Sequence, residues 1–164
     1  MSTEVICFSI MIGGALASII VAIRLRGKKE MLISGFACGI LVAFLNMMVE
    51  YAGVKFDLYH ISGPWRLLET PLPLTLGWLS LSFLYCSIYG LVIRKKRGSV
   101  AVLVFMLSGI VIGCLTDFLF YRAGIMALGE NGSPFVILTV WLVFIPLSIF
   151  IYEFFMGFLS VGKA

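Results

Sequence analysis

Five long apolar segments, separated by short polar stretches, dominate the pattern of the chain. They cover approximately residues 5–23, 31–54, 70–93, 100–121 and 135–159. Each is close to the ~20 apolar residues that a helix needs to cross a bilayer. The first segment lacks a basic N-terminal flank, which favours a membrane span over a cleaved signal peptide. The pattern predicts an all-α polytopic membrane bundle, with residues 1–164 forming a single domain of five transmembrane helices.

Two of the predicted helices carry a face of small residues that leads to a carboxylate. In the second helix, residues at spacings of three and four form this face: Gly35, Gly39, Ala43, Asn46 and Glu50. In the fourth helix the corresponding residues are Gly109, Gly113, Asp117 and Tyr121. Small residues at this spacing let membrane helices approach closely. Both acids are therefore predicted to point into the bundle, at a similar depth in its outer half.

Glu50 and Asp117 are the predicted catalytic residues. Ionisable groups within hydrocarbon are costly and usually mark a function. A protonated acid beside an ionised one is the common arrangement for general acid and base chemistry. The alternative is a structural role, in which each acid hydrogen-bonds to neighbouring helices or pairs with Arg122.

Amide and aromatic side chains near the acids are the predicted substrate-binding residues. They are Asn46, Tyr51, Trp78, Tyr85, Tyr121 and Trp141. Asn46 and Tyr121 are expected to orient the two acids. Trp78 and Trp141, if they face the core, can stabilise a cation through their ring faces. The alternative for each ring is packing against lipid or against other core residues.

Charge and composition support a membrane protein and predict its orientation. The chain is 62% hydrophobic and 12% charged, whereas soluble domains carry about 25% charged residues. Nine of its 12 lysines and arginines lie in the two loops and the tail on one side of the predicted bundle. The positive-inside rule places that side in the cytoplasm and the N-terminus outside. We expect a multi-pass protein of a bacterial or archaeal plasma membrane, and the clustering of bases at membrane edges argues against a nucleic-acid partner.

Several chemistries lack the residues that they require. The four cysteines are scattered singly, which argues against a disulfide framework or a thiol redox site. His60 is the only histidine, which excludes a multi-histidine zinc or haem site within one chain. No glycine-rich phosphate loop or nucleophile elbow occurs, so no metal and no cofactor are predicted. Glu153, in the cytoplasmic half of the fifth helix, is interpreted as an interfacial or paired carboxylate.

An internal repeat is suggested by one constant offset along the chain. The offset aligns Asn46, Gly53 and Ser62 with Asp117, Gly124 and Ser133. Helices two and three, and helices four and five, would then form parallel repeats about an axis along the membrane normal. The alternative is a chance alignment of two apolar hairpins.

Two short motifs resemble families of membrane enzymes. Asn46-x3-Glu50 resembles the Asn-x-x-Trp-Glu pattern of the small membrane-embedded terpene cyclases, with Val49 in the place of the tryptophan. Glu50-x2-Gly53, with Tyr59 and a later aspartate beyond it, is similar to the integral-membrane carotenoid hydratase family. The resemblance implies acids within the bundle that protonate or deprotonate an isoprenoid double bond or epoxide.

These observations lead to three functional hypotheses. The first is an enzyme that binds an isoprenoid-like membrane lipid and performs cyclisation, hydration or isomerisation with its two carboxyls. The second is a small transporter or a proton- or ion-coupled subunit, in which the same acids bind a cation. The third is a structural subunit, a homo-oligomer or part of a larger membrane complex, whose small-residue faces contact partner helices.

Overall fold

The computed structural model describes residues 2–94 and 98–161, which form five helices and four short strands. The elements are α1 Thr3–Arg24, α2 Lys29–Lys55, β1 Tyr59–Ile61, β2 Arg66–Leu67, β3 Thr70–Pro71, α3 Leu72–Ile88, α4 Ser99–Arg122, β4 Met126–Leu128 and α5 Pro134–Val161. A π-helical turn, Tyr89–Ile93, continues α3. Five helices of the described chain are long and apolar enough to cross a membrane. The predicted helical membrane bundle is therefore confirmed at this level.

Three of the four strands lie in segments that the sequence predicted only as loops, and β3 occupies the first two residues of the third predicted helix, which therefore begins at Leu72 and not at Thr70. β1 pairs antiparallel with β4, and β2 forms a short hairpin with β3. Loops 56–71 and 123–133 thus meet at one end of the bundle, here called the strand end; the opposite end, with the α1–α2 and α3–α4 connections, is the basic end. Further hydrogen bonds join the two loops, including Ser62 N–H to the Ile125 carbonyl at 2.7 Å and Asn131 N–H to the Asp57 carbonyl at 3.1 Å.

Helix α3 has a central position, because it packs against α1 on one side and α2 on another. Glycines make both contacts close: a Cβ at Gly39 would lie 2.8 Å from the Leu79 carbonyl oxygen, and one at Gly14 would lie 3.0 Å from Ser80 Cβ. Helix α5 packs against α2 and α4. Helices α1 and α4 are the most exposed of the five, as expected for helices that face lipid.

The glycines of α4 have a different role from the close helix approach that was predicted for them. A Cβ at Gly109 would lie 2.8 Å from the hydroxyl oxygen of Tyr85, and one at Gly113 would overlap the indole of Trp141. These glycines therefore accommodate aromatic rings from α3 and α5. The rings hold α4 at a distance from α2, which leaves space between the two helices that carry the acids.

Prolines define where α3 and α5 begin. Pro71 caps α3, Pro73 occupies its first turn, and Pro134 is the first residue of α5. Proline suits these positions because the first turn of a helix has no internal partner for its N–H groups. Pro146 lies inside α5, where the missing N–H interrupts the hydrogen-bond ladder.

Replacing Gly53 with alanine tests how the strand end is joined to α2. A Cβ at residue 53 would lie 2.6 Å from Cε1 of Tyr59, whose side chain is buried. Because the added methyl group would push the Tyr59 ring away from α2, we expect Gly53→Ala to lower the free energy of unfolding by about 1–3 kcal/mol. Gly13→Ala is the control, since a Cβ there has no neighbour within 4 Å. Equal unfolding free energies for the two variants in detergent micelles would contradict this packing.

Candidate functional site

A cavity of about 360 Å³ lies between α2, α3, α4 and α5, directly beneath the strand end. Its walls are mainly apolar, with side chains such as Val42, Ile112, Val140 and Phe144. A few polar groups interrupt this surface, and they include both predicted catalytic acids. An apolar pocket with a small number of convergent polar groups is the usual form of a small-molecule site.

Glu50 lies on the α2 wall of the cavity and is 5% exposed. Asn46, one turn earlier on the same face, donates from Nδ2 to Glu50 Oε1 at 2.6 Å. Among the described residues, Oε2 of Glu50 has no hydrogen bond of good geometry, although Thr70 and Trp78 lie close enough to interact with the carboxyl group. A buried oxygen without a partner is costly, so Glu50 is well suited to bind a polar or reactive group in the cavity.

Asp117 lies on the α4 wall and accepts a hydrogen bond from the indole N–H of Trp141 at 2.6 Å. The Trp141 ring rests on Gly113, which leaves space for it against α4. Its centroid is 5.2 Å from that of Trp78, and the two rings are inclined by 49°. Both indoles line the cavity together with the two acids, so it contains a pair of aromatic surfaces.

The β1–β4 pair forms a roof over the cavity. Side chains alternate along a strand, and in β1 Tyr59 and Ile61 are buried while His60 is exposed. Tyr59, Ile61 and Met126 line the cavity from this side. Burial, and then the nearby Glu50 and Asp117 carboxylates, raise the pKa of Tyr59 above its ordinary value. The phenol therefore stays protonated at neutral pH, and it donates to the Val49 carbonyl at 3.3 Å.

Six of the eight predicted site residues line this one cavity: Asn46, Glu50, Trp78, Tyr85, Asp117 and Trp141. The other two lie elsewhere, because Tyr51 and Tyr121 are 41% and 50% exposed and do not line it. Arg122, considered above as a partner of the acids, is exposed at the end of α4. The acids are instead hydrogen-bonded by Asn46 and Trp141.

Several polar groups of the site were not predicted from the sequence. Ser82 and Ser148 line the cavity, and each shares a helical face with a predicted residue, Ser82 with Trp78 and Ser148 with Trp141. That spacing was a usable signal. No spacing pattern in the sequence indicated Thr70, because the β2–β3 hairpin brings this residue near Glu50.

Three further ionisable side chains, Asp57, His60 and Glu153, are paired outside the cavity. Arg94 Nε lies 3.0 and 3.1 Å from the two carboxylate oxygens of Glu153. His60 Nε2 lies 2.8 Å from Asp57 Oδ1 on the exposed side of the roof. Across residues 2–94 and 98–161, no three potential ligands cluster in a way that could hold a metal ion.

Comparisons with protein-family models, curated proteins and solved structures find no match for this chain. Its function is therefore inferred from the site alone. Two carboxyls, two indoles and a buried phenol in one apolar cavity can transfer protons and stabilise positive charge.

A double-mutant cycle tests the hydrogen bond between Trp141 and Asp117. Trp141→Phe removes the donor and Asp117→Leu removes the acceptor, so the two should show a coupling of about 1 kcal/mol in the free energy of unfolding, as expected for a hydrogen bond between membrane helices. Trp65, an exposed residue that contacts Phe8 in another part of the structure, provides the control. The pair Trp65→Phe and Asp117→Leu should be additive to within about 0.5 kcal/mol. Additivity of the Trp141 pair as well would show that this bond contributes nothing to stability.

Proposed function

We propose that this protein is a membrane enzyme that protonates an isoprenoid-like lipid in the cavity beneath the roof. The observation that carries the proposal is the presence of Glu50 and Asp117 in one apolar cavity, with Glu50 Oε2 lacking a well-formed hydrogen bond among the described residues. The apolar walls suit a hydrocarbon ligand, and the motif Asn46-x3-Glu50 resembles those of isoprenoid-modifying membrane enzymes.

Glu50 is assigned the role of general acid. Its Oε1 is held by Asn46, which fixes the orientation of the carboxyl group, while Oε2 is available to carry the transferred proton. Protonation of a trisubstituted alkene at its less substituted carbon uses the π electrons to form the new C–H bond and leaves a tertiary carbocation. Protonation of an epoxide oxygen opens the C–O bond and generates the same type of cation.

Trp78 and Trp141 are positioned to stabilise this cation. A positive charge over the face of an indole is stabilised by about 2 kcal/mol or more when water is excluded. The paired rings, 5.2 Å apart, offer two such faces beside the acids.

Asp117 is assigned the role of general base, with its orientation held by Trp141. If a second alkene of the ligand attacks the cation, a ring forms, and Asp117 then removes a proton to complete cyclisation. If Asp117 removes a proton directly, the double bond is isomerised. If water attacks, Asp117 accepts its proton and the product is an alcohol. In each case one proton leaves Glu50 and one reaches Asp117, so a final transfer through the solvent restores both groups.

Neutralising either acid should abolish most of the conversion. We expect Glu50→Gln and Asp117→Asn each to lower turnover of an isoprenoid alkene or epoxide by about 10²- to 10⁴-fold, the usual contribution of a general acid or base. Both amides retain an oxygen that can accept from Asn46 or Trp141, so the fold should persist. The measurement is product formation from a panel of such lipids, followed by mass spectrometry.

Glu153→Gln is the matched control, because Glu153 pairs with Arg94 outside the cavity. It should leave turnover unchanged. Full activity of either cavity variant would exclude the acid–base mechanism. Proton flux in proteoliposomes without chemical conversion, lost in both cavity variants, would favour a proton-coupled carrier instead.

We also propose that α2–α3 and α4–α5 are two copies of one unit, related by a twofold axis along the membrane normal. The β1–β4 pair is compatible with such an axis, since Tyr59 pairs with Leu128, His60 with Ala127 and Ile61 with Met126. This register is symmetric about the His60–Ala127 pair. The same offset of 67 residues relates Glu50 to Asp117. It differs from the offset noted in the sequence, which aligned Asn46 with Asp117, and it makes the two acids equivalent.

The orientation with the N-terminus outside the plasma membrane remains our proposal from the distribution of basic residues. Single cysteines in a background without native cysteines test it. His60→Cys at the strand end and Gly27→Cys at the basic end are both exposed positions. In intact cells, a membrane-impermeant maleimide should label His60→Cys and should reach Gly27→Cys only after permeabilisation. The reverse pattern would invert the topology.

A further inference from the structure

A second space, a groove of about 580 Å³, lies on the far side of Trp78 from the carboxylate cavity. It is formed by α1, α3 and α4, with walls that include Ile10, Leu74, Leu119 and Phe120. Trp78, Leu81 and Thr116 line both the groove and the cavity. The two spaces are therefore separated by no more than the side chains on the α3–α4 seam.

Two of the helix–helix seams that border the cavity, α2–α5 and α3–α4, differ. α2 packs against α5 along one side, whereas in the described chain α3 and α4 make their closest contacts near the basic end. There the Tyr85 ring stacks on Phe105 with centroids 4.5 Å apart, and the Tyr85 hydroxyl donates to the Phe105 carbonyl. Towards the strand end the same seam holds the groove. The cavity is thus closed at the α2–α5 seam and bordered by open apolar space at the α3–α4 seam.

The groove continues to the lipid-facing surface of the bundle. Leu119 is 63% exposed and Gly13 is an exposed residue of α1. A Cβ at Gly13 would have no neighbour within 4 Å, so the α1 wall has room for an occupant. The mouth of the groove therefore lies among exposed residues of α1 and α4.

Resting on the proposed function, we propose that the substrate is a linear isoprenoid longer than the cavity, about twenty carbons in length. Its reacting end lies between Glu50 and Asp117, and its chain passes Trp78 and Thr116 into the groove. The α3–α4 seam is then the lateral entrance from the bilayer. Volume supports this class of ligand: the cavity alone lies near the lower limit of ligand pockets, about 300–1,000 Å³, whereas cavity and groove together approach the upper limit.

Photolabelling tests the path of the chain without requiring turnover. The probes are a ten-carbon and a twenty-carbon isoprenoid alcohol, each with a diazirine at the end remote from the hydroxyl group. We expect the longer probe to label the groove segments 6–14 and 119–123, and the shorter probe to label cavity residues on α2 and α5. Labelling of the cavity by both probes, or uniform labelling of all lipid-facing helices by the longer one, would overturn the proposal.

A paired substitution provides the quantitative test. Gly13→Phe fills the groove, and Gly157→Phe is the matched control, because a Cβ at Gly157 also has no neighbour within 4 Å but the residue lies outside both spaces. Gly13→Phe should reduce groove labelling by the twenty-carbon probe about tenfold and leave cavity labelling by the ten-carbon probe unchanged. Equal labelling in the two variants would contradict the proposal.

The same experiment separates this inference from the proposed function and from a rival occupant. Groove labelling without any conversion of the probe would support the binding path and reject the enzymatic mechanism. Conversion of the twenty-carbon probe with no groove labelling would do the opposite. A disulfide between two Gly13→Cys protomers, together with an absence of groove labelling, would show that a second copy of the chain fills the groove.

Discussion

The structure depends on one constraint: the two carboxyl groups inside the apolar bundle must be hydrogen-bonded by other protein groups. A charged group in hydrocarbon is costly unless protein groups solvate it. Asn46 supplies one hydrogen bond to Glu50, and Trp141 supplies one to Asp117. The geometry of α4 follows from the second of these bonds, since Gly113 must lack a side chain for the Trp141 indole to reach the aspartate. The site and the packing of the helices are thus determined together.

The sequence was sufficient for the helices and for most of the cavity. Long apolar segments have few stable alternatives in a membrane, because backbone groups must be satisfied internally. Rare polar residues within such segments, Glu50 and Asp117 above all, then indicate the interior. Helical periodicity placed Asn46 correctly beside Glu50. Tyr51 was wrongly expected in the site because it is adjacent to Glu50 in the sequence. Successive residues of a helix are turned by about 100°, so the Tyr51 side chain points towards the exterior.

The roof could not be predicted from local signals. Each of its strands has three residues, and the pairing joins segments far apart in the chain. A strand of that length has no detectable period, and its conformation depends on its partner. Thr70 and Tyr59 both lie in loop 56–71 and reach the site only because that loop folds over the bundle. Thr70 was therefore not predicted as a site residue, and Tyr59 was noted only as part of a motif. The role predicted for the glycines in α4 was wrong for a related reason. Their spacing indicates a face of small residues, but the neighbouring side chains decide whether a helix backbone or an aromatic ring packs against that face.

The pairing of β1 with β4 also has a consequence for how the protein is made. Helices enter a membrane in the order of their synthesis, and β4 follows the fourth of them. A nascent chain that ends after α3 holds Glu50 but has neither Asp117 nor the roof strand that covers the cavity. The cavity with its two carboxyls is therefore complete only when the last helical hairpin is inserted. A chain that terminates after α3 therefore lacks the α4 and α5 walls, and Glu50 in such a fragment has no cavity to face.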